Sequence, residues 1–343
     1  MKRPGASGSA ILYAVAIGVL SNAAIGAERA SFVTIRKLYN WNTVCLPAIL
    51  FLAALAILVA ARRKLGRAAI VFLAVSASLF LLRFWMSWVE MEWLAIRYAP
   101  IESSKVRRPL RIVHLSDLQP THVGFHEEHV FRKVRALAPD LLLYTGDLIQ
   151  PRTREDRDRE LPRMAALLAT VKAPLGKLAV HGDTDDAIRG VPAGELGGLE
   201  LLESSEKVIP FDGGTLSVHG LSQRDSHGLA SDAGVARWLA AAAPGAFTIL
   251  MGHAPDYLLA LQNQPVDLCL AGHTHGGQIV VPFYGPLVTY SLVPRQWARG
   301  FHFFGKTRFN VSAGAGAEHA AGLPSMRLFC PTEITVIEVF PRP

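Results

Sequence analysis

Apolar runs divide this chain into two unlike parts. Before about residue 98 they are long: Ile11 to Leu20, then Val44 to Ala61 with no charge over 18 residues, then Ala68 to Val89, broken only by Arg83. A helix crossing a bilayer needs ~20 apolar residues, so the second and third runs predict membrane-spanning helices. The first run, behind Lys2 and Arg3, predicts either a cleaved signal peptide ending near Ala27 or a retained helix. From Leu110 the runs shorten and alternate with helical stretches. They predict a strand to Leu115, a helix around Glu127 to Leu137, a strand at Leu141, a helix around Leu161 to Val171 and a strand at Leu178. Next come a hairpin through Val208 to Leu221 turning at Asp212, Gly213 and Gly214, a helix around Asp232 to Ala242, and strands at Phe247, Val266, Ile279, Phe301, Phe309 and Ile334. This order predicts an α/β domain whose sheets are faced by helices. Residues 99–109, polar with two prolines, read as a linker, and Pro151 to Glu160, with alternating charges, as a solvated loop. The expected organisation is a membrane region over 1–98, a linker over 99–109 and a folded domain over 110–343.

Charge supports that division. Residues 1–100 hold eleven basic and three acidic residues, whereas the remainder holds 24 basic and 25 acidic, so the net charge of +7 belongs to the membrane flank. Nucleic-acid binding by the domain is therefore not implied. Trp85, Trp88, Trp93 and Tyr98 read as an interfacial belt, and Arg83 as a residue that snorkels toward it. Arg62, Arg63, Lys64 and Arg67 mark a cytoplasmic loop, which puts the domain outside the cytoplasm; Arg97, Lys105, Arg107 and Arg108 oppose that orientation.

All twelve histidines follow residue 110. His273 and His275 lie just past the apolar run Val266 to Leu270, where extended backbone would aim both imidazoles at one spot and turn Thr274 away. A lone pair of this kind is commonly surface or satisfied core. This pair has company at other strand ends: Asp117 and Gln119, Asp147, Asp183 with Asp185, and His253. In open α/β sheets, ligands collect beyond the carboxyl ends of strands. Carboxylates, imidazoles and an amide oxygen suit Mn²⁺, Fe²⁺ or Zn²⁺, and two such ions can clamp a phosphoryl group. Cys45, Cys269 and Cys330 form no close pairs and read as buried small residues. There is no G-x-S-x-G elbow and no P-loop lysine, and a dinucleotide fingerprint at Gly314 and Gly316 lacks its third glycine, since His319 stands there. His219, His227 and His302 read as surface or core; His122, His126 and His181 lie beside the motif segments.

In this order the segments resemble the calcineurin-like metallophosphoesterase family, whose pattern is D-x-H, G-D, G-N-H-[DE], G-H and G-H-x-H. The resemblance runs from about Leu110 to Val339. It is greatest to the membrane-attached branch typified by the transmembrane protein with a metallophosphoesterase domain, and to bacterial relatives linked to UDP-2,3-diacylglucosamine cleavage. The closing stretch through Ser312, Gly316, Arg327, Pro331 and Ile334 is similar to that branch's tail. The resemblance implies a sandwich of two mixed sheets and hydrolysis of a phosphate ester or pyrophosphate bond at two divalent ions, on a phosphorylated substrate such as a membrane lipid. It implies Asp117, Gln119, Asp147 and His275 around one ion, and Asp147, Asp183, His253 and His273 around the other. Three positions depart from the pattern. Gln119 stands where the family has His, Asp183 where it has Asn, and Thr184 where it has the His assigned to proton donation or phosphate contact. Proton supply would then fall to water or to a neighbour such as Asp185 or His181. The departures leave a second reading open, a metal-binding membrane sensor or scaffold with impaired catalysis.

Overall fold

The computed structural model describes residues 17–18, 20–22, 32–60, 67–228, 232–261, 264–305, 307–318 and 325–342. The chain divides into two compact units, one of residues 1–89 and 320–326, the other of 90–319 and 327–343.

In the first unit, α1 (Phe32–Asn40) runs through a π-helical turn into α2 (Leu46–Ala60), and α3 (Arg67–Phe84) ends in a second such turn, Trp85–Val89. Two stretches, Lys37–Val59 and Ala69–Val89, are long and apolar enough to cross a membrane. Leu52, Val59 and Leu81 turn outward, an arrangement suited to lipid. Arg83 departs from expectation. It is buried, and its guanidinium reaches Thr43 Oγ1 at 3.5 Å and Met326 Sδ at 3.3 Å, because partners inside the helical unit replace the water that snorkelling would seek. The expected signal or first helix, and Arg62 to Lys64, lie almost wholly outside the described residues.

The second unit holds two six-stranded mixed sheets. The first has the order β1 (Leu94–Ser103), β14 (Thr332–Pro341), β2 (Leu110–Leu115), β3 (Leu141–Tyr144), β4 (Lys177–Ala179), β5 (Leu199–Leu201); β2 to β5 are parallel. The second has the order β12 (Gly300–Phe304), β13 (Thr307–Val311), β9 (Leu268–Ala271), β8 (Phe247–Met251), β7 (Gly214–Gly220), β6 (Ser205–Phe211), parallel from β13 through β7. Ile112, Leu141 and Leu178 of one sheet join Val218, Phe247 and Leu270 of the other in one apolar cluster, so the sheets pack face to face. Outside the first sheet lie α4 (Phe125–Leu137) and α5 (Arg154–Ala169), which bury Val130, Phe131, Met164 and Leu168. Outside the second lies α7 (Asp232–Ala241), which buries Val235 and Trp238; the single turn α6 (Gln223–Ser226) precedes it. This is the sandwich of two mixed sheets, with helices outside, that the resemblance implied.

Two stretches differ from the sequence reading. The segment read as a linker carries the second half of β1, which pairs with β14 in parallel, Ala99 opposite Ile337 and Ile101 opposite Val339. Pro100 is tolerated because β1 is an edge strand, and an edge needs hydrogen bonds on one side only. The charged run before Leu161 is helix. Thr153 caps it, accepting from Asp156 N at 3.0 Å, and fully buried Glu160 accepts from Val123 N at 2.9 Å and pairs with His122 at 2.8 Å. Pro162 lies inside the helix.

Candidate metal centre

β2, β3 and β4 in one sheet and β7, β8, β9 and β13 in the other release their chains toward the same end of the sandwich, and the candidate residues sit in those loops. Among the described residues three groups are close enough to hold an ion: Asp183, His253 and His273; Asp117, Asp147 and His253; and Asp147, His275 and Glu318. Asp147 and His253 each belong to two groups, so the three merge into one centre with Asp147 in the middle.

The residues are held by bonds that leave particular atoms facing inward. Asp147 Oδ1 accepts from Thr184 N at 2.8 Å and from Thr184 Oγ1 at 3.2 Å, which leaves Oδ2 toward Gln119 Nε2 and His253 Nε2. Asp183 Oδ1 accepts from Gln223 Nε2 at 2.8 Å and meets His227 Nε2 at 3.0 Å, while its Oδ2 lies 2.9 Å from His273 Nδ1. The Asp117 carboxylate, fully buried, accepts from His273 N at 3.1 Å and stands 3.6 Å from His275 Nε2. His253 Nδ1 is 2.7 Å from the Thr145 carbonyl, a contact only an N–H can make, so Nε2 points at Asp147 and Asp183, 3.5 and 3.6 Å away. Such a carbonyl contact fixes the tautomer that a metal-ligating histidine requires.

Glycine makes this crowding feasible at two points. A side chain at Gly182 would strike Asp147 Oδ1, and one at Gly272 would strike Ser116 Oγ and Asp117 Oδ2.

A divalent cation fits these groups. Two buried atoms, Gln119 Oε1 and His253 Nε2, have no hydrogen-bond partner, and buried polar atoms seldom go unsatisfied. Burial, against the pull of His253 and with the help of Asp147, pushes the Asp117 carboxyl up to about 6. Burial also opposes charge on His253, yet Asp147, with Asp183, raises that imidazole well above its usual range. Burial opposes charge on Asp183 too, but His227, His253 and His273 hold its carboxyl below the usual range. Carboxylates and imidazoles that stabilise one another in this way offer a cation the lone pairs that protons otherwise occupy.

The family pattern matches residues 110–277 under the description calcineurin-like phosphoesterase. The chain is similar to the uncharacterized metallophosphoesterase YkuE of Bacillus subtilis, 32% identical over 206 residues that cover 58% of this chain and 67% of the relative. The chain belongs to the calcineurin-like metallophosphoesterases. It is thereby a hydrolase of phosphoric ester bonds, in a family that uses divalent metals. YkoQ, another uncharacterized metallophosphoesterase of B. subtilis, is 26% identical over 220 residues, 61% of this chain and 77% of its own. The UDP-2,3-diacylglucosamine pyrophosphatase LpxG of Chlamydia muridarum is 28% identical over 288 residues, 68% of this chain and 84% of its own.

All seven residues expected as ligands converge here, in an unexpected way. His273 and His275 do not share the face of a strand: both have left-handed φ, 66° and 48°, and the chain turns so that they serve opposite ends of the centre. Thr274 donates to the Ala298 carbonyl at 2.6 Å. The three residues considered for catalysis fare differently. Thr184 holds Asp147. Asp185 is fully buried and both its oxygens take backbone amides, Oδ2 from Asp147 at 2.6 Å and Gly182 at 2.8 Å, Oδ1 from Leu148 at 2.8 Å. His181 is buried apart from the centre, 3.6 Å from Glu203. His122 pairs with Glu160, and His126 meets the Ala315 carbonyl at 2.6 Å.

Sequence reasoning passed over three residues. Glu318 lies 4.0 Å from His275 and accepts from Gln150 at 3.3 Å. His227, besides its contact with Asp183, packs edge-on to His273 with ring centroids 4.8 Å apart. Both follow parallel strands, β13 and β7, and that position was the available signal. Arg327 is fully buried and donates to the carbonyls of Ala313 at 2.7 Å, Gly316 at 2.6 Å and Cys330 at 3.0 Å, binding together the loops that carry His275 and Glu318.

Proposed function

We propose that this protein hydrolyses a phosphate ester or pyrophosphate bond at two divalent ions of the Mn²⁺, Fe²⁺ or Zn²⁺ class. One would be held by Asp117, Gln119, Asp147 and His275, the other by Asp147, Asp183, His253 and His273. The observation that carries this reading is the placement of His253, whose Nδ1 meets the Thr145 carbonyl and whose Nε2 is aimed between Asp147 and Asp183. Bound ions would polarise the phosphoryl oxygens and acidify a water. Thr184 positions Asp147 between the two ion sites. Gln223 and His227 fix the outer oxygen of Asp183 and so turn its other oxygen inward. With Thr184 in the family's imidazole position, and with Asp185 and His181 turned elsewhere, the leaving group takes its proton from water. Substrates with acidic leaving groups are therefore favoured.

We further propose that the enzyme works at a membrane, with its hydrolase unit outside the cytoplasm, on a lipid-borne phosphoester. The spans Lys37–Val59 and Ala69–Val89 support the membrane location, and similarity to LpxG supports a glycolipid pyrophosphate such as UDP-2,3-diacylglucosamine. A nucleotide-linked lipid belongs to the cytoplasmic face, so that substrate and that orientation exclude each other.

The test is metal analysis of the purified protein together with turnover of 4-nitrophenyl and alkyl phosphodiesters. About two ions per chain, and metal-dependent hydrolysis that favours 4-nitrophenol as leaving group, are expected. Bound metal without hydrolysis would leave the sensor reading standing instead.

A further inference from the structure

The loop from residue 280 to 292 projects from the rim of the metal centre and carries large apolar side chains at its tip. A two-residue hairpin, β10 (Val280–Val281) against β11 (Gly285–Pro286), lifts Phe283 into full exposure at its apex, and Tyr284, Leu287, Tyr290 and Leu292 are exposed beside it. Phe283 and Tyr290 hold left-handed φ, 67° and 51°, which bulky residues rarely adopt without support. Around Tyr290 the support comes from His273 and from Asp256. Tyr290 O meets His273 Nε2 at 3.3 Å, and Asp256 Oδ1 accepts from Ser291 Oγ and, at 2.9 Å, from Leu292 N. These bonds fix the foot of the loop at residues 290–292.

What covers them follows from where the chain enters this unit. Leu328 N donates to Gln278 O and Val280 N to Leu328 O, both at 2.9 Å, so the root of the hairpin is stitched to the segment that continues into Cys330. Cys330 N in turn donates to the carboxylate of Glu90. Glu90 is the first residue after the apolar stretch Ala69–Val89. The root of the hairpin, the segment carrying exposed Phe329, and Glu90 are therefore joined by hydrogen bonds, and Tyr290 O ties the same loop to His273. Cations stand among these aromatics. The Arg295 guanidinium lies 4.7 Å over the Tyr284 ring, and half-buried Arg299 donates to Phe329 O at 3.0 Å. Aromatic and apolar side chains mixed with arginine suit the headgroup level of a bilayer.

We propose that this hairpin and Phe329 seat the rim of the metal centre in the bilayer surface, so that the enzyme takes its phosphoester from lipid headgroups. The proposal rests on the phosphoesterase reading above and adds the surface that selects a lipid-borne substrate. Phe283 and Tyr284 enter the acyl boundary, Arg295 meets anionic headgroups, and a headgroup beside the hairpin lies next to His273.

The test uses the full chain in phosphatidylcholine and phosphatidylglycerol nanodiscs. Phe283→Trp should add fluorescence that brominated phosphatidylcholine quenches, after subtraction of the unsubstituted chain. The double variant Phe283→Asp with Tyr284→Asp should lose on the order of tenfold, the ratio that 1.4 kcal/mol gives, on bilayer-embedded 4-nitrophenyl hexadecyl phosphate. Its rate on soluble 4-nitrophenyl methyl phosphate, which has the same leaving group, should be unchanged. Absent quenching overturns the proposal, as would occur if the hairpin docks a protein, and so does an equal change on both substrates. If the unsubstituted chain fails on the soluble diester, the phosphoesterase reading fails instead, while the quenching still reports insertion.

Discussion

Five of the seven residues proposed as ligands, Asp117, Gln119, Asp147, His273 and His275, are non-glycine residues with φ between 46° and 66°. Each such conformation costs ~1–3 kcal/mol and persists only where its surroundings enforce it, here the crossed bonds among neighbouring loops. Gln119 is the informative case, because its Nε2 meets Asp147 while its Oε1 has no partner. The two ends of an amide are interchangeable in shape, so a cation would draw the oxygen inward. Gln119→Ala should lower metal occupancy at one of two sites, with affinity down roughly 10- to 100-fold, whereas Gln119→His should hold or tighten it. Calorimetric titration of the metal-free protein with Mn²⁺ decides; unchanged affinity in the alanine variant rejects ligation by Gln119. His114 lies behind the centre, fully buried between Thr145 Oγ1 and Asn310 Nδ2, each at 2.9 Å. Burial pushes its pKa down to about 3, so the folded protein refuses a proton that the unfolded chain accepts below about 6.5. Stability therefore falls as pH drops from about 6.5 toward 3, by about 1.4 kcal/mol per pH unit from this group. His114→Gln should flatten the acid limb of an unfolding-against-pH curve, and an unchanged limb would rule the group out.

At the level of elements, α5 illustrates what local pattern conceals. Its first two turns read as a charged loop because their charges alternate and no apolar stripe marks them. They are helical because Thr153 caps them, Arg159 pairs with Asp156 at 2.7 Å, and Glu160 is anchored to the segment after β2. Thr153→Ala should destabilise the hydrolase unit by ~1 kcal/mol, read as a lowered unfolding midpoint, without altering metal stoichiometry. A larger loss together with lost metal would mean that the cap also supports the centre through Glu160 and His122. β1 was obscured in the opposite way. Alternation begins only at Ala99, with Pro100 and Glu102 facing out, and the partner that makes it a strand, β14, comes more than two hundred residues later.

At the level of the whole molecule, the apolar spans and the hydrolase unit are distinct in composition as well as in structure. A reporter fused after Pro343 should be active only outside the cytoplasm if the Arg62 to Arg67 run holds its loop inside. Activity confined to the cytoplasm would reverse that orientation and restore a nucleotide-linked lipid as substrate. The sequence by itself determined the class of fold, the apolar spans and the seven residues proposed as ligands. Those features are written locally: period-two and period-3.6 hydrophobicity, uninterrupted apolar length, and short motifs at strand ends. The tertiary structure decided which imidazole faces which carboxylate, that Asp185 serves backbone amides, that Arg327 ties together the loops of the centre, and that Glu318 and His227 join it. These depend on loops from two sheets meeting at one end, at left-handed backbone positions and across hydrogen bonds between residues far apart in the chain. No local pattern records such meetings, because each residue's partner is chosen by how the sheets stack.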